Sequence, residues 1–193
     1  RAGNRIPFAR SELFSPGATR VFEGRYLTEI AFPLGGIGAG TVSLGGRGQL
    51  RDWEIFNRPN KGGAMPFSFV TLWCREQGGQ PHACVVEAPP LPPYTGSHGF
   101  NRVTGAGLPH LESARFEGCY PLAAIDFTDR KLPLRIRLEA FTPFVPLEVD
   151  DSALPCAILR YHLRSIGQRP VEASLAFSLM NPIGYDDIAK PCE

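Results

Sequence analysis

Leu134-Arg135-Ile136-Arg137-Leu138-Glu139-Ala140 alternates apolar and charged side chains at every step. In an extended chain successive side chains point to opposite faces, so Leu134, Ile136, Leu138 and Ala140 share one face and Arg135, Arg137 and Glu139 the other. A strand with one buried and one solvated face belongs to an antiparallel sheet covering a core. The same period of two returns at Ala157, Leu159, Tyr161 and Leu163. It recurs at Val171, Ala173, Leu175, Phe177 and Leu179, opposite Glu172, Ser174, Ala176 and Ser178. Only Ser165-Ile166-Gly167-Gln168-Arg169-Pro170 separates these two runs, and a short connection with glycine inside and proline at its end predicts an antiparallel hairpin. Towards the N-terminus, strands are expected at Gly40 to Leu44, Phe67 to Cys74, Ala83 to Glu87 and Leu122 to Thr128, each bounded by Gly or Pro. No amphipathic run of three helical turns stands out. The expected fold is an all-β antiparallel sandwich of two packed sheets, with the alternating apolar faces turned inward.

Composition agrees. A chain of 193 residues with 43% hydrophobic content fits one domain, residues 1–193, with a sizeable core. The 21 Gly and 19 Pro suit many short strands joined by turns. With Lys+Arg 20 against Asp+Glu 19, no strong field recruits nucleic acid or an anionic membrane. No run of roughly 18 apolar residues would span a bilayer, and the N-terminus lacks a signal peptide's apolar stretch, so a cytoplasmic location without a transmembrane segment is expected. Cys74, Cys84, Cys119, Cys156 and Cys192 are odd in number and form no Cys-x-x-Cys pair; buried thiols are expected. His82, His98, His110 and His162 are far apart, and the acidic pairs Asp150-Asp151 and Asp186-Asp187 lack the calcium-loop ladder, so neither metal nor cofactor is expected. Residues 88–107, with Pro89-Pro90-Leu91-Pro92-Pro93-Tyr94, read as a long irregular loop.

Two motifs carry the functional reading. The first is the glycine-rich run Phe32-Pro33-Leu34-Gly35-Gly36-Ile37-Gly38-Ala39-Gly40, continued by Gly45 and Gly46. It has no third glycine at dinucleotide spacing and no Gly-Lys-Ser/Thr, which excludes the usual nucleotide loops. Its glycines are expected to serve a bend between strands, where positive φ and close backbone approach are needed. The second is Arg51-Asp52-Trp53-Glu54, followed by Asn57. Two carboxylates, a cation and an indole can bracket a sugar. The same residues can equally form a strand in which Arg51 and Asp52 pair locally and Trp53 fills the core. Asp52 and Glu54, two apart, could share a strand face, and a retaining glycosidase needs two carboxyl groups roughly 5 Å apart.

These motifs resemble the N-terminal domain of glycoside hydrolase family 116, the bile-acid β-glucosidases and non-lysosomal glucosylceramidases. The resemblance continues in order through Pro66-Phe67-Ser68-Phe69, Pro92-Pro93-Tyr94, Ala114-Arg115-Phe116-Glu117-Gly118, Glu139-Ala140-Phe141-Thr142-Pro143-Phe144-Val145-Pro146-Leu147, Asp150-Asp151-Ser152-Ala153-Leu154-Pro155 and Asn181-Pro182-Ile183-Gly184. It implies that the catalytic glutamate and aspartate lie in a separate C-terminal (α/α) barrel domain, the partner of this one. No catalytic residue is therefore assigned within the chain. The implied substrate is a β-glucoside or glucosylated lipid, bound through that barrel. The absent initiator Met and the end at Pro191-Cys192-Glu193 are read as cuts from something longer, an incomplete form of the family domain that is inactive alone. Arg51, Asp52, Trp53, Glu54 and Asn57 are expected at the domain junction near the active-site entrance. Two rival readings remain: a stand-alone carbohydrate-binding module using Trp53, Tyr94, Phe100 and Asn101, and an immunoglobulin-like interaction domain resting on the hairpin around Gly167.

Overall fold

The computed structural model describes residues 9–15, 19–55, 57–92, 105 and 107–182. It is an antiparallel β-sandwich. Eleven strands are described: β1 (Arg20–Glu23), β2 (Ala31–Leu34), β3 (Thr41–Gly45), β4 (Leu50–Glu54), β5 (Phe69–Glu76), β6 (His82–Val85), β7 (Ser113–Cys119), β8 (Leu122–Thr128), β9 (Leu134–Phe141), β10 (Ile158–Ser165) and β11 (Val171–Ser178). Helix is confined to single turns, among them α1 (Arg10–Leu13) and α2 (Val149–Ser152). No helix among the described residues is long and apolar enough to cross a membrane.

A five-stranded sheet in the order β1-β7-β8-β9-β10 faces two three-stranded sheets, β11-β5-β6 and β2-β3-β4. The expected sandwich forms, with one of its two layers divided into two three-stranded sheets. Strand alternation builds the core directly: Leu134, Ile136, Leu138 and Ala140 are all buried. Register aligns Phe22, Phe116, Ile125, Leu138 and Tyr161 in one row across all five strands. A single apolar cluster joins that row to Leu34, Leu44 and Trp53 of one small sheet and to Val70, Leu72 and Cys74 of the other. On the opposite face, Glu23, Arg115, Asp126 and Arg137 form a ladder of ion pairs at 3.3, 3.9 and 2.5 Å. Single exposed pairs contribute little, but a network running across strands favours one register.

The expected hairpin does not form. β10 pairs with β9 over eight residues and β11 pairs with β5 over eight, so residues 165–170 cross from one layer of the sandwich to the other. The crossing is held where Ile166 N donates to Pro133 O (3.1 Å) and Gln77 N to Pro170 O (2.9 Å). A glycine-proline connection permits either geometry; the long apolar-lined partners β9 and β5 decide it, because each offers a full eight-residue ladder.

A second expectation fails with it. Ala173, Leu175 and Phe177 stand opposite Cys74, Leu72 and Val70 and share their core-facing side, yet Leu175 is 39% and Phe177 52% exposed. β11 is an edge strand, and the opposite layer does not extend over it. Leu159, Tyr161 and Leu163 of β10, also an edge strand, are only half-buried. Strands β1, β2 and β7 were not expected, β1 and β2 being four residues each, too short for a periodic signal. Of the four described cysteines, all free thiols, only Cys74 is fully buried, and Cys119 is exposed. Cys192, Asp186 and Asp187 lie outside the described residues, as do Tyr94, Phe100, Asn101 and most of the 88–107 loop.

Candidate functional site

The glycine run and the Arg51–Glu54 run meet because β3 and β4 are neighbours. Their pairing shifts register between Thr41 and Ser43, and Asp52 takes a left-handed φ of 51°. This irregularity turns both Asp52 and Trp53 inward, so Asp52 and Glu54 do not present a common open face. Asp52 is 2% exposed. Its N–H donates to Gly63 O (2.7 Å), its Oδ1 accepts from Gly62 N (2.5 Å), and Arg51 Nε lies 3.5 Å away. Glu54 accepts from Asn60 N (3.1 Å) and Lys61 Nζ (2.6 Å), and Asn60 Nδ2 donates to Trp53 O (3.1 Å). The Lys61 hydrogen bond, with that from Asn60, holds the Glu54 carboxyl below its ordinary range. Both carboxylates are thereby engaged in fastening residues 60–63 to β4. Trp53 is buried in the core, its Nε1 without a hydrogen-bond partner among the described residues, and offers no exposed platform for stacking a sugar. Asn57 is exposed, with φ 54°.

The glycine loop is anchored on its other side to residues 142–154. Gly35 N donates to Thr142 Oγ1 (2.8 Å), and Ile37 N to Ser152 O (2.9 Å). Gly35 has φ 126°, in the left-handed half of the map where a side chain is strained. Gly36 is demanded by contact: a Cβ there would enter the backbone of Ala153 and Leu154. Gly38 and Gly40 complete the bend, Gly40 lying against the Glu54 carbonyl and Ile55. Gly45 and Gly46 form the β3–β4 turn, where Gly45 N donates to Gln49 O (2.8 Å). Ser152, 2% exposed, is the hub of this end of the molecule. Its hydroxyl donates to Val145 O (2.9 Å) and accepts from Val145 N (3.0 Å), and its own N–H donates to Glu148 O (3.2 Å). The acidic Glu148-Val149-Asp150-Asp151 run forms the cap and first turn of α2.

Sequence reasoning missed a buried polar group at the other end of β3, by the β3–β4 turn. Arg47 Nη1 donates to Ala88 O (2.8 Å) and lies 3.8 Å from Glu87, itself 4% exposed. Burial pushes the Glu87 carboxyl up to about 7, with Arg47 opposing. Burial and then the Glu87 charge raise the Tyr161 phenol. Burial lowers His110, whose Nδ1 donates to Leu108 O (2.7 Å) and whose Nε2 is buried without a partner among the described residues. No spacing marks these residues, since Arg47 comes from the β3–β4 turn, Glu87 and His110 from opposite ends of the β6–β7 connection and Tyr161 from β10 of the facing sheet. Also unforeseen is a groove of about 650 Å³ at the open end of β1 and β2, floored by Phe22, Phe32 and Phe116 with Tyr120 on its wall.

Residues 31–191 match the family model described as beta-glucosidase 2, glycosyl-hydrolase family 116 N-term. The match begins at β2 and spans the glycine loop, the Arg51–Glu54 run, the Ser152 hub and every later strand. With the antiparallel sandwich in place, the chain belongs to glycosyl-hydrolase family 116 as an N-terminal domain of that family.

Proposed function

We propose that the chain is the non-catalytic sandwich of a retaining β-glucosidase, scaffolding a C-terminal (α/α) barrel that carries the catalytic carboxylates and binds a β-glucoside or glucosylated lipid. The observation that carries this reading is the state of Asp52 and Glu54, the carboxylate pair of the Arg51–Glu54 run. One is buried and accepts from the Gly62 amide, and the other is held by Asn60 and Lys61. A retaining glycosidase needs two carboxyls facing a shared open space, one free to protonate the leaving group and one to attack. Residues 51–54 then act by holding residues 60–63 in shape at the junction with the barrel. The test is hydrolysis of an aryl β-glucoside. The 193-residue chain is expected to show no turnover by itself and to support turnover when joined to a family barrel. Turnover by the chain alone that is abolished by Asp52→Asn would overturn the proposal.

A carbohydrate-binding role has one feature in its favour, the aromatic groove beside Tyr120, although not the residue first suspected, because Trp53 is buried. Binding on a glycan array that is lost in Tyr120→Ala would support it.

A further inference from the structure

The end of the sandwich built on Ser152 carries a concentration of exposed apolar side chains. Leu147 is 99% exposed, Val149 72%, Ile37 56%, Leu154 48%, Val145 44% and Phe144 38%. They belong to two segments, the glycine loop and residues 144–154, that the Ser152 bonds to Ile37 and Val145 hold side by side. Single exposed apolar residues are ordinary; six of them on two segments that are bonded together mark an interaction surface. Leu147 is the clearest member. It holds a left-handed φ of 71°, unusual for a leucine, and projects its whole side chain into solvent. Leu147 takes no part in the buried core. The surrounding backbone is nonetheless rigidly tied, so the projection is built rather than frayed.

Charge narrows the partner. Glu148, Asp150 and Asp151 flank the leucine, while residues 141–157 contain no Lys or Arg and the glycine loop from 32 to 46 contains no charged residue. The surface is an apolar knob with an acidic rim.

We propose that Leu147 and its apolar neighbours form the surface on which the barrel domain docks, inserting Leu147 into an apolar socket rimmed by lysine or arginine. This rests on the scaffold reading above and adds the place and the chemistry of the contact. A central apolar anchor in a desolvated pocket supplies most of an interface's affinity, and rim charges supply orientation. The demand for close packing at this end also gives Gly36 a purpose, since its contact with Ala153 and Leu154 seats the two segments level with each other.

Hydroxyl-radical footprinting tests it, comparing side-chain oxidation in the free chain with that in the intact enzyme where this chain precedes its barrel. Leu147 and Val149 should be protected about tenfold or more in the intact enzyme, while Phe177 on the distant β11 edge is oxidised equally in both. Leu147→Asp, at a fully exposed position, should leave the free chain's thermal midpoint unchanged and split the intact enzyme's single unfolding transition into two. Asp150→Lys with Asp151→Lys should loosen the same coupling. If Leu147 is oxidised equally in both forms while Phe177 is protected, this surface is wrong and the scaffold reading stands. If neither is protected and the two parts unfold independently, both fall.

Discussion

At the scale of single residues, Asp52 and Glu54 sit two apart in sequence but in unlike environments. Asp52 is buried, left-handed in backbone and bonded to Gly62. Removing its carboxylate orphans a buried amide and places alanine at a positive φ, which asparagine tolerates better. We expect Asp52→Ala to cost about 2–3 kcal/mol in urea unfolding and Asp52→Asn distinctly less. Glu54→Ala, losing an exposed lysine partner and one amide bond, should cost clearly less than Asp52→Ala. Equal losses in the two alanine variants would refute the asymmetry. How much of this site was legible follows from the same residues. The local pairing of Arg51 with Asp52 is implied by their adjacency, whereas the 60–63 segment that both carboxylates hold lies beyond any motif. Ser152 lies in a run that carries the resemblance, yet nothing in that run marks it as a hub, because a serine becomes one only when two distant segments are brought to it.

At the scale of the element, β10 and β11 show how far alternation reaches. Period two identified both as strands and identified their apolar faces, because pleating is a property of the strand itself. Pairing is a property of partners, and here eight-residue ladders to β9 and β5 outweigh the nearness of β10 to β11 in sequence. The result leaves β11 as an edge strand with Leu175 and Phe177 exposed, containing no proline or lysine and one acidic residue, Glu172. Long apolar edges of this kind pair with other chains. The chain is therefore expected to self-associate with rising concentration in light scattering, and Phe177→Glu to shift it towards monomer. A wild-type chain that stays monodisperse and monomeric would count against this.

At the scale of the whole molecule, the buried Glu87 couples stability to pH. Its carboxyl is raised from 4.5 to about 7, so between those values the folded chain keeps a proton that the unfolded chain releases. This contribution is fully present below about pH 4.5 and is lost as pH rises through 7, for a total of at most about 3 kcal/mol. Glu54, Glu112, Glu117 and Glu139 are shifted the opposite way by their hydrogen-bond partners and weaken the fold as pH falls through their lowered values. Comparison with Glu87→Gln isolates the buried group: the variant, always neutral at this site, should lack the decline in unfolding free energy between pH 4.5 and 7. Parallel wild-type and variant profiles across that window would refute it.

By itself the sequence determined the antiparallel β class, the inward faces of the long strands and the family, since alternation and ordered motifs are written in consecutive residues. Tertiary structure alone decided which strands pair, that one layer divides in two, that β11 lies uncovered, and that Arg47 and Glu87 are buried side by side. Those outcomes depend on which surfaces compete for the same partner and which charges must leave water together. Neither competition exists until the two layers close.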